Sequence, residues 1–553
     1  IMKWIYYPKK TENLIEQLLA NRHIKKSQWR SFLEPNFEKD MGDPRKMKGI
    51  KKACDLILRS KKVGIFTDYD ADGIPAGALL TKALDKLNIQ WEIYIPERSE
   101  GYGLSEAGIE KLFKLKCDTL VTIDLGITAK KQIAFAKKLG LKTIVIDHHL
   151  VIESSLPKAD ALVNPKQKNC RYPFKEFSAG GLVYKLVQAM AQLDRRITMA
   201  DQKWWLDLVA ISTISDIVPL TGENRVIAYF GLKVLAKTKN LGLQEMYHFG
   251  SIDPQIMSTY TVGFQIAPRI NAPGRLASAR DAFDLLVCQD KIKAQKLAQQ
   301  LNQANIKRQQ ELEQAIQLAI AKISQNKLDK NKIILVYDKS FMSGIVGLVA
   351  GRIMDKYYRP AIVLREDKGE VHGSARSIAE FHIVDAFTLC QKNLTRFGGH
   401  SRAAGLALKL ENLQSFYDQI LKLADKKLTK EVLVPKQNVD AQIKFSEINQ
   451  KNYDAIQKLE PFGMGNPRPV FQTDKLTITN VRTLGKDNDH LKLWLTDGAS
   501  DVVALAFGWG EKAGKFKIGT KLDFVYSLNQ NNFQGKKSIE LKLVDYKIIN
   551  PKM

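Results

Sequence analysis

Cysteine is scarce: there are five in 553 residues, and no two form a C-x-x-C pair. That pattern indicates neither a thiolate zinc site nor a disulfide framework. Cys54, Cys117, Cys170, Cys288 and Cys390 are expected to be reduced thiols of a cytoplasmic protein. Also missing is any run of about 18 apolar residues, the length that spans a bilayer. The opening IMKWIYYPKK has neither the apolar stretch nor the cleavage site of a secretory leader, so no membrane association is expected. No internal repeat or low-complexity tract occurs. Acidic residues are the minority, with 59 Asp+Glu against 85 Lys+Arg and a net charge of +26. Such an excess favours a polyanionic partner, nucleic acid first and anionic membrane second. Charge alone fits a surface that is lysine-rich throughout equally well. The composition, 44% hydrophobic and 26% charged, is that of an ordinary globular chain. Its length corresponds to about three or four domains.

Glycine and proline are absent between Leu276 and Ser343. In that span Leu297, Leu301, Leu312, Ile316, Ile320 and Ile323 recur near helical spacing. The pattern predicts a long helix over 286–328, and it fits a spacer between lobes and an ordinary surface helix equally. Before it, from Lys61 to about Val218, the runs KVGIF, WEIYIP, DTLVTID, KTIVID and DALVN alternate with helical patterns. Continuous apolar runs of this kind belong to a parallel sheet covered on both faces. FSAGGLVYKLVQAM and WWLDLVAISTISDIV read as buried helices, with Trp204 and Trp205 in packing roles. KIILVYD opens a smaller α/β unit that ends near Thr429. Beyond LEPFGMGNPRPVF, read as a rigid inter-domain turn, five short runs of strand character predict a small barrel of the OB type. The fold class is therefore multidomain α/β. It comprises an N-terminal segment (1–45), a parallel-sheet domain (46–285), the long helix, a smaller α/β domain (329–430) and a C-terminal β-barrel with its lead-in (436–553).

VGIFTDYDADG places Asp68, Asp70 and Asp72 directly after an apolar strand pattern. The same event recurs at LVTIDLG, with Asp124, and at TIVIDHH, with Asp147, His148 and His149. Ligands of open α/β sheets sit beyond the carboxyl ends of the strands, so these groups are expected to meet in one crevice. Asp216 in STISDIVPL joins them from the end of a buried helix. A lone DADG would be read as a turn or N-cap; three strand-end repeats with a histidine pair are not. Clustered carboxylates do not all stay ionised without a cation. At an effective dielectric of 20, two charges about 4 Å apart repel by about 4 kcal/mol. Carboxylates with one or two imidazoles suit Mn²⁺ or Mg²⁺ better than zinc. Two such ions, bridged by a carboxylate such as Asp124, would activate water and stabilise the leaving oxygen of a phosphoryl ester. One histidine is expected to bind metal and the other to face the scissile phosphate.

Taken together, DYDADG, IDLG, IDHH and SDIVPLTGENR resemble the four motifs of the DHH phosphoesterase superfamily. PERSEGYGLS, LVNPKQKNCRYPFKEFSAGG, VGFQIAPRINAPGRL, GSARS, RFGGHSRAAG and LEPFGMGNPRPVF resemble the RecJ family within it, from about Arg45 to the end of the chain. The resemblance implies a DHH catalytic domain, a connecting helix, a DHH-associated DNA-binding domain and an OB-fold. It implies two divalent cations, Mn²⁺ or Mg²⁺, on Asp68, Asp70, Asp72, Asp124, His148 and Asp216, with His149 on the phosphate and Asp147 supporting from behind. It further implies hydrolysis of single-stranded DNA from the 5′ end to 5′-mononucleotides, in repair and recombination. Single-strand-binding protein and a RecQ-type helicase are expected partners, and the chain is expected to be a monomer.

Basic and polar residues beside glycines suit phosphate oxygens. These are Arg269, Asn271 and Arg275 in APRINAPGR, Ser374 and Arg376 in GSARS, and Gly399 and His400 in GGHSRAAG. Each alone reads equally as a structural turn. The resemblance places Arg275, Ser374 and Arg376 near the DNA end and His400 close to the cleft. In the barrel, Phe507 and Trp509 are candidates to stack bases, while Trp494 is assigned to the core. Two departures from the family pattern stand out: Phe341-Met342-Ser343 where relatives often carry Trp-His-Pro, and Thr67 where glycine is usual. The alternatives are a DHH nano-RNase or cyclic-dinucleotide phosphodiesterase, forms that lack the barrel, and a catalytically silent single-strand-binding scaffold, which would have lost metal ligands.

Overall fold

The runs KVGIFT, TLVTI and KTIVI form neighbouring strands whose side chains are buried on both faces. The computed structural model describes residues 2–97, 100–101, 103–273, 278–367, 369–533 and 535–548. Two compact units emerge: 30–311 with 461–466, and 1–29 with 312–460 and 467–553. The expected N-terminal segment 1–45 is thereby divided between them at residue 29.

The first unit is built on a five-stranded, all-parallel sheet. Its spatial order is Gln90–Tyr94, Lys62–Thr67, Thr119–Ile123, Lys142–Ile146, Ala161–Val163. After Lys62–Thr67 the helix Gly73–Lys86 leads the chain to one side, and all later strands add on the other side. The order therefore reverses between Lys62–Thr67 and Thr119–Ile123, a switch point of the kind that opens a crevice at the strand ends. Alternate residues serve opposite faces. Val63, Ile65, Val121, Ile123, Ile144 and Ile146 join a core with the helices Gly73–Lys86, Ala179–Leu193 and Leu206–Ser215. Phe66, Leu120 and Val145 face a second core with Glu106–Lys114 and Lys130–Lys138.

The helix Lys291–Gln325 runs 35 residues across the boundary between the units, a length of about 52 Å at 1.5 Å per residue. In the second unit, Ile334–Tyr337 pairs parallel with Ala361–Asp367, and Glu370–Arg376, Ala403–Lys409 and Arg396–His400 follow antiparallel. Phe341, the first of the departing residues, is buried in the core beside this sheet.

Phe471–Leu484, His490–Thr496, Asp501–Ala506, Lys536–Ile548 and Lys521–Phe533 form a barrel closed by pairing of the last strand back to the first. Three of these strands are 13–14 residues long, not short as expected. Leu491, Leu493 and Leu495 point inward. Trp494 lies between them in sequence and faces outward, half-buried, with Lys492 Nζ 5.2 Å from its ring. The core assignment of Trp494 is thus corrected by the period of two along the strand. Trp509 is buried against Phe516 and Tyr546, whereas Phe507 is exposed. Among the described residues, no helix is long and apolar enough to cross a membrane.

A buried ion pair locks the first unit. Lys185 Nζ lies 2.5 Å from Glu223 Oε2 and donates to Gly42 O, and Tyr172 donates to Glu223 Oε1 at 2.7 Å. Removing one partner of such a pair strands the other charge. Lys185→Met is expected to lower the stability of this unit by about 3–5 kcal/mol, read as a lower denaturation midpoint. Lys185→Met combined with Glu223→Gln should recover most of the loss; a single variant as stable as the parent would contradict the role given to the pair.

Candidate metal centre

Each central strand passes one more backbone hydrogen bond to the residue that follows it. Asp68 N donates to Ile123 O at 3.3 Å, Asp124 N to Ile146 O at 3.0 Å and Asp147 N to Val163 O at 3.2 Å. The strand that carries Asp124 lies between those that carry Asp68 and His148, so Asp124 is the central group of the crevice. Its backbone adopts φ +65°, a left-handed turn that aspartate tolerates better than most residues. Thr122 Oγ1 donates to Leu125 O at 3.0 Å and fixes the turn.

The DYDADG loop is tight. Asp70 Oδ1 accepts from Asp72 N at 2.8 Å and Gly73 N at 3.1 Å. One oxygen of Asp70 therefore caps the helix Gly73–Lys86, as the turn reading of DADG anticipates. A Cβ at Gly73 would come within 2.6 Å of Asp68 O. Thr67 Oγ1 donates to Gly73 O at 2.7 Å, which gives this departure from the family pattern a bracing contact. Asp72 is seated on a cradle that the motifs do not reveal: it accepts from Ala179 N at 2.8 Å, Gly180 N at 3.0 Å and Ser212 Oγ. The first two lie at the N-terminus of Ala179–Leu193, where backbone N–H groups favour an anion. The sequence signal for it is the small-residue run SAGG. Asp216 is the residue just past Leu206–Ser215, on the helix that also carries Ser212.

His148 Nε2 lies 3.3 Å from Asp124 Oδ1, 3.6 Å from Asp216 Oδ2 and 3.8 Å from Asp72 Oδ2. Three ligand sets have their donor atoms within 4.8 Å of one another: Asp72, His148 and Asp216; Asp68, Asp70 and Asp124; and Asp124, His148 and His149. The structure thus brings all six expected metal residues together, with Asp124 in reach of both neighbouring sets. Oxygen and imidazole donors of this kind fit hard divalent cations.

The electrostatics agree. Asp68, Asp72 and Asp124 are 4%, 2% and 3% exposed. Burial, then the charges of Asp72, Asp70, Asp68 and Asp216, hold the Asp124 carboxyl well above the usual range. Burial and then Asp70 push Asp72 up to about 7, against the opposing hydrogen bonds of its cradle. Burial, then Asp72 and Asp70, push Asp216 up to about 9. Burial, then the charge of His149, lowers His148 to about 3, which favours its neutral form. His149 differs. Burial disfavours its charge, but the hydrogen bond and charge of Asp147 outweigh burial and the net shift is upward. Its Nδ1 lies 2.6 Å from Asp147 Oδ1, and Asp147 Oδ2 accepts from Ile127 N at 2.9 Å. Asp147 therefore supports His149 directly.

The expected phosphate contacts divide. Arg269 is half-buried, and its guanidinium donates to Asn302 Oδ1, Gln265 O and Gly250 O. Those partners brace the side chain within the first unit. Asn271 Oδ1 accepts from Ala71 N at 2.9 Å and so supports the metal loop. Arg275 lies outside the described residues. In the second unit, Arg376 Nη1 donates to Ser374 Oγ at 2.9 Å, and both side chains lie beside Gly347, where a Cβ would meet them at 3.0–3.1 Å. Gly399 and His400 are exposed on Arg396–His400, and a Cβ at Gly399 would collide with Ala403 O at 2.4 Å. One feature of TYTVGF escapes sequence reading. Tyr260 and Phe264, 63% and 64% exposed, stack at 4.8 Å on a helical segment with a π-turn that continues to Asn271.

Comparison with known proteins gives a consistent set of likenesses. The family models described as "DHH family, N-terminal domain", "DHHA1 domain" and "RecJ OB domain" match residues 62–213, 329–427 and 439–545. The chain is 35% identical to the single-stranded-DNA-specific exonuclease RecJ of Bacillus subtilis, over 96% of this chain and 67% of that protein. It is 32% identical to the protein of the same name in Haemophilus influenzae, over 96% of each. The crystal structure of RecJ in complex with Mn²⁺ from Thermus thermophilus superposes with a TM-score of 0.83 and 24% identity, over 99% of this chain and 80% of that one.

Metal binding is expected to relieve the carboxylate repulsion. Calorimetry should find two Mn²⁺ per chain, and Mn²⁺ at about 100 times its Kd should add about 2.7 kcal/mol of stability per site. Asp124→Asn keeps the volume and tolerates the positive φ, yet should lower the stoichiometry and most of the stabilisation. Two ions bound at parental affinity in that variant would remove Asp124 from the centre.

Proposed function

The chain belongs to the RecJ family, and from that premise we propose that it is a metal-dependent exonuclease specific for single-stranded DNA, working from the 5′ end and releasing 5′-mononucleotides. The observation that supports this most is the position of Asp124 at the sheet's switch point, between two ligand sets. A pair of divalent cations bound there supplies Lewis-acid polarisation of the phosphodiester and lowers the pKa of water.

The protein's own groups have distinct tasks. Asp124 is shared between the sets, and Asp72 is held in register by Ala179, Gly180 and Ser212. His148 offers a neutral lone pair to metal. His149, whose proton affinity is raised by the Asp147 carboxylate at its Nδ1, has Nε2 left to face a phosphate oxygen. Exposed Tyr260 and Phe264 form a platform for unstacked bases, which duplex ends do not offer. Arg376 and Ser374 beside Gly347 serve as a phosphate grip within their own unit. The net charge of +26 draws the strand in. A monomeric chain acting in the cytoplasm in repair and recombination, alongside single-strand-binding protein and a RecQ-type helicase, completes this reading.

The assay is a 5′-labelled oligonucleotide with Mn²⁺ or Mg²⁺, single-stranded beside duplex. His149→Gln should lower kcat by about 10²–10³ with little change in KM. Tyr260→Ala with Phe264→Ala should raise KM for the strand about tenfold or more, since stacking contributes about 1–3 kcal/mol per base, without affecting hydrolysis of a small phosphodiester. Strands left intact at saturating Mn²⁺, or duplex consumed equally well, would overturn the proposal.

A further inference from the structure

We infer that Ile217, the residue after Asp216, is a substrate contact whose side chain packs on the nucleoside joined to the phosphate at the metal centre. Its backbone has φ +59°. Among the described residues it is the one β-branched side chain with a left-handed backbone. Contact between Cβ and the backbone carbonyl disfavours that combination. Ile217 is also 64% exposed, so no burial offsets the cost.

The turn itself does not need isoleucine. Helix Leu206–Ser215 ends with Asp216 as its cap. Ile217 takes the next position, and its N donates to Ile214 O at 3.3 Å. Helices that stop in this way ordinarily carry glycine there, and asparagine next. The apolar contact that secures such a stop falls to Val218, which is 8% exposed. Leu220, also buried, donates its N to Met464 O at 2.7 Å and fixes the chain beyond. The helix end is therefore closed without the Ile217 side chain. Leu150, next to His149, provides a contrast. It is exposed on a backbone outside the left-handed region, and a lone exposed leucine calls for no special role. Strain kept at an exposed position beside a functional group marks a residue in use.

The neighbourhood says what it is used for. Asp216 Oδ2 lies 3.6 Å from His148 Nε2, in the ligand set that also holds Asp72. Metals on these residues meet a phosphodiester, and the groups joined to that phosphorus are sugars that carry bases. The ligand sets themselves consist of carboxylates and imidazoles and offer nothing apolar to those carbon surfaces. Isoleucine does, and its restricted χ1 leaves little freedom to lose on contact. A role in holding metal is excluded, because the side chain has no donor atom. The inference rests on the hydrolysis of single-stranded DNA proposed above and adds to it the residue that meets the nucleoside.

The test uses the full chain with Mn²⁺ and a 3′-labelled, 5′-phosphorylated single strand. Ile217→Gly and Ile217→Asn keep the turn and remove the branched side chain. Each should lower kcat/KM on the strand about tenfold, the loss expected for one apolar contact. Ile217→Val should recover most of the parental value. Calorimetry should find Mn²⁺ bound by Ile217→Gly at the parental stoichiometry and affinity, and its denaturation midpoint should rise as the backbone relaxes. A strand whose 5′-terminal nucleotide lacks its base separates the two halves of the nucleoside. A gap between parent and variant that persists on it assigns the contact to the sugar, and a gap that closes assigns it to the base. Parental kcat/KM in Ile217→Gly, weakened Mn²⁺ binding, or a lower midpoint would each overturn the inference alone. A parent protein that leaves every strand intact would overturn the exonuclease reading and the inference with it.

Discussion

Like charges crowded at the carboxyl ends of three adjacent strands are the constraint on which the first unit depends. Asp68, Asp72 and Asp124 are nearly inaccessible to water, and each neighbour raises the cost of ionising the others. A fold selected for stability alone would place apolar or neutral groups there. The cluster makes physical sense when a doubly charged ion offsets the repulsion among these carboxylates.

The sheet order is what makes the cluster possible. Because the strand order reverses between Lys62–Thr67 and Thr119–Ile123, the connections leave opposite ways and the space beyond the two strands stays open. Asp124 occupies that gap at the cost of a left-handed backbone. The rest of the scaffold holds carboxylates in place by backbone hydrogen bonds. Asp70 is fixed by the helix it caps, Asp72 by the start of another helix, and the loop between them by Asn271. Such contacts position oxygens without adding a competing cation.

The convergence of the strand-end aspartates and histidines was legible in sequence because strand ends are. An apolar run that stops at aspartate gives both the direction and the end of a strand, and three repeats give convergence. The all-parallel sheet, the long helix and the closed barrel follow from periodicity in the same way. What could not be read depends on partners distant in the chain. Arg269 beside glycine and asparagine has the look of a phosphate grip, and its hydrogen bonds to Gly250 and Asn302 are not visible in that local pattern. Trp494 has the size of a core residue but falls on the outward phase of its strand. Trp204 belongs to a helical pattern whose companion surface, from Phe37 and Phe230, is contributed by segments that local sequence does not connect. The seat of Asp72 on Ala179 and Gly180 is likewise a contact across more than a hundred residues.

The adjacent histidines show how little of a residue's chemistry is its own. His148 and His149 have the same side chain, sit side by side with ring centroids 4.6 Å apart, and are driven in opposite directions. Burial and the neighbouring charge lower the proton affinity of His148, while Asp147, anchored by Ile127 N, raises that of His149. A metal ligand must present a lone pair and a phosphate donor must present a proton. One carboxylate placed under one of two neighbouring rings is sufficient to drive their proton affinities apart. Asp147, through its hydrogen bonds to His149 and Ile127, therefore sets the difference between two rings that the sequence presents as alike.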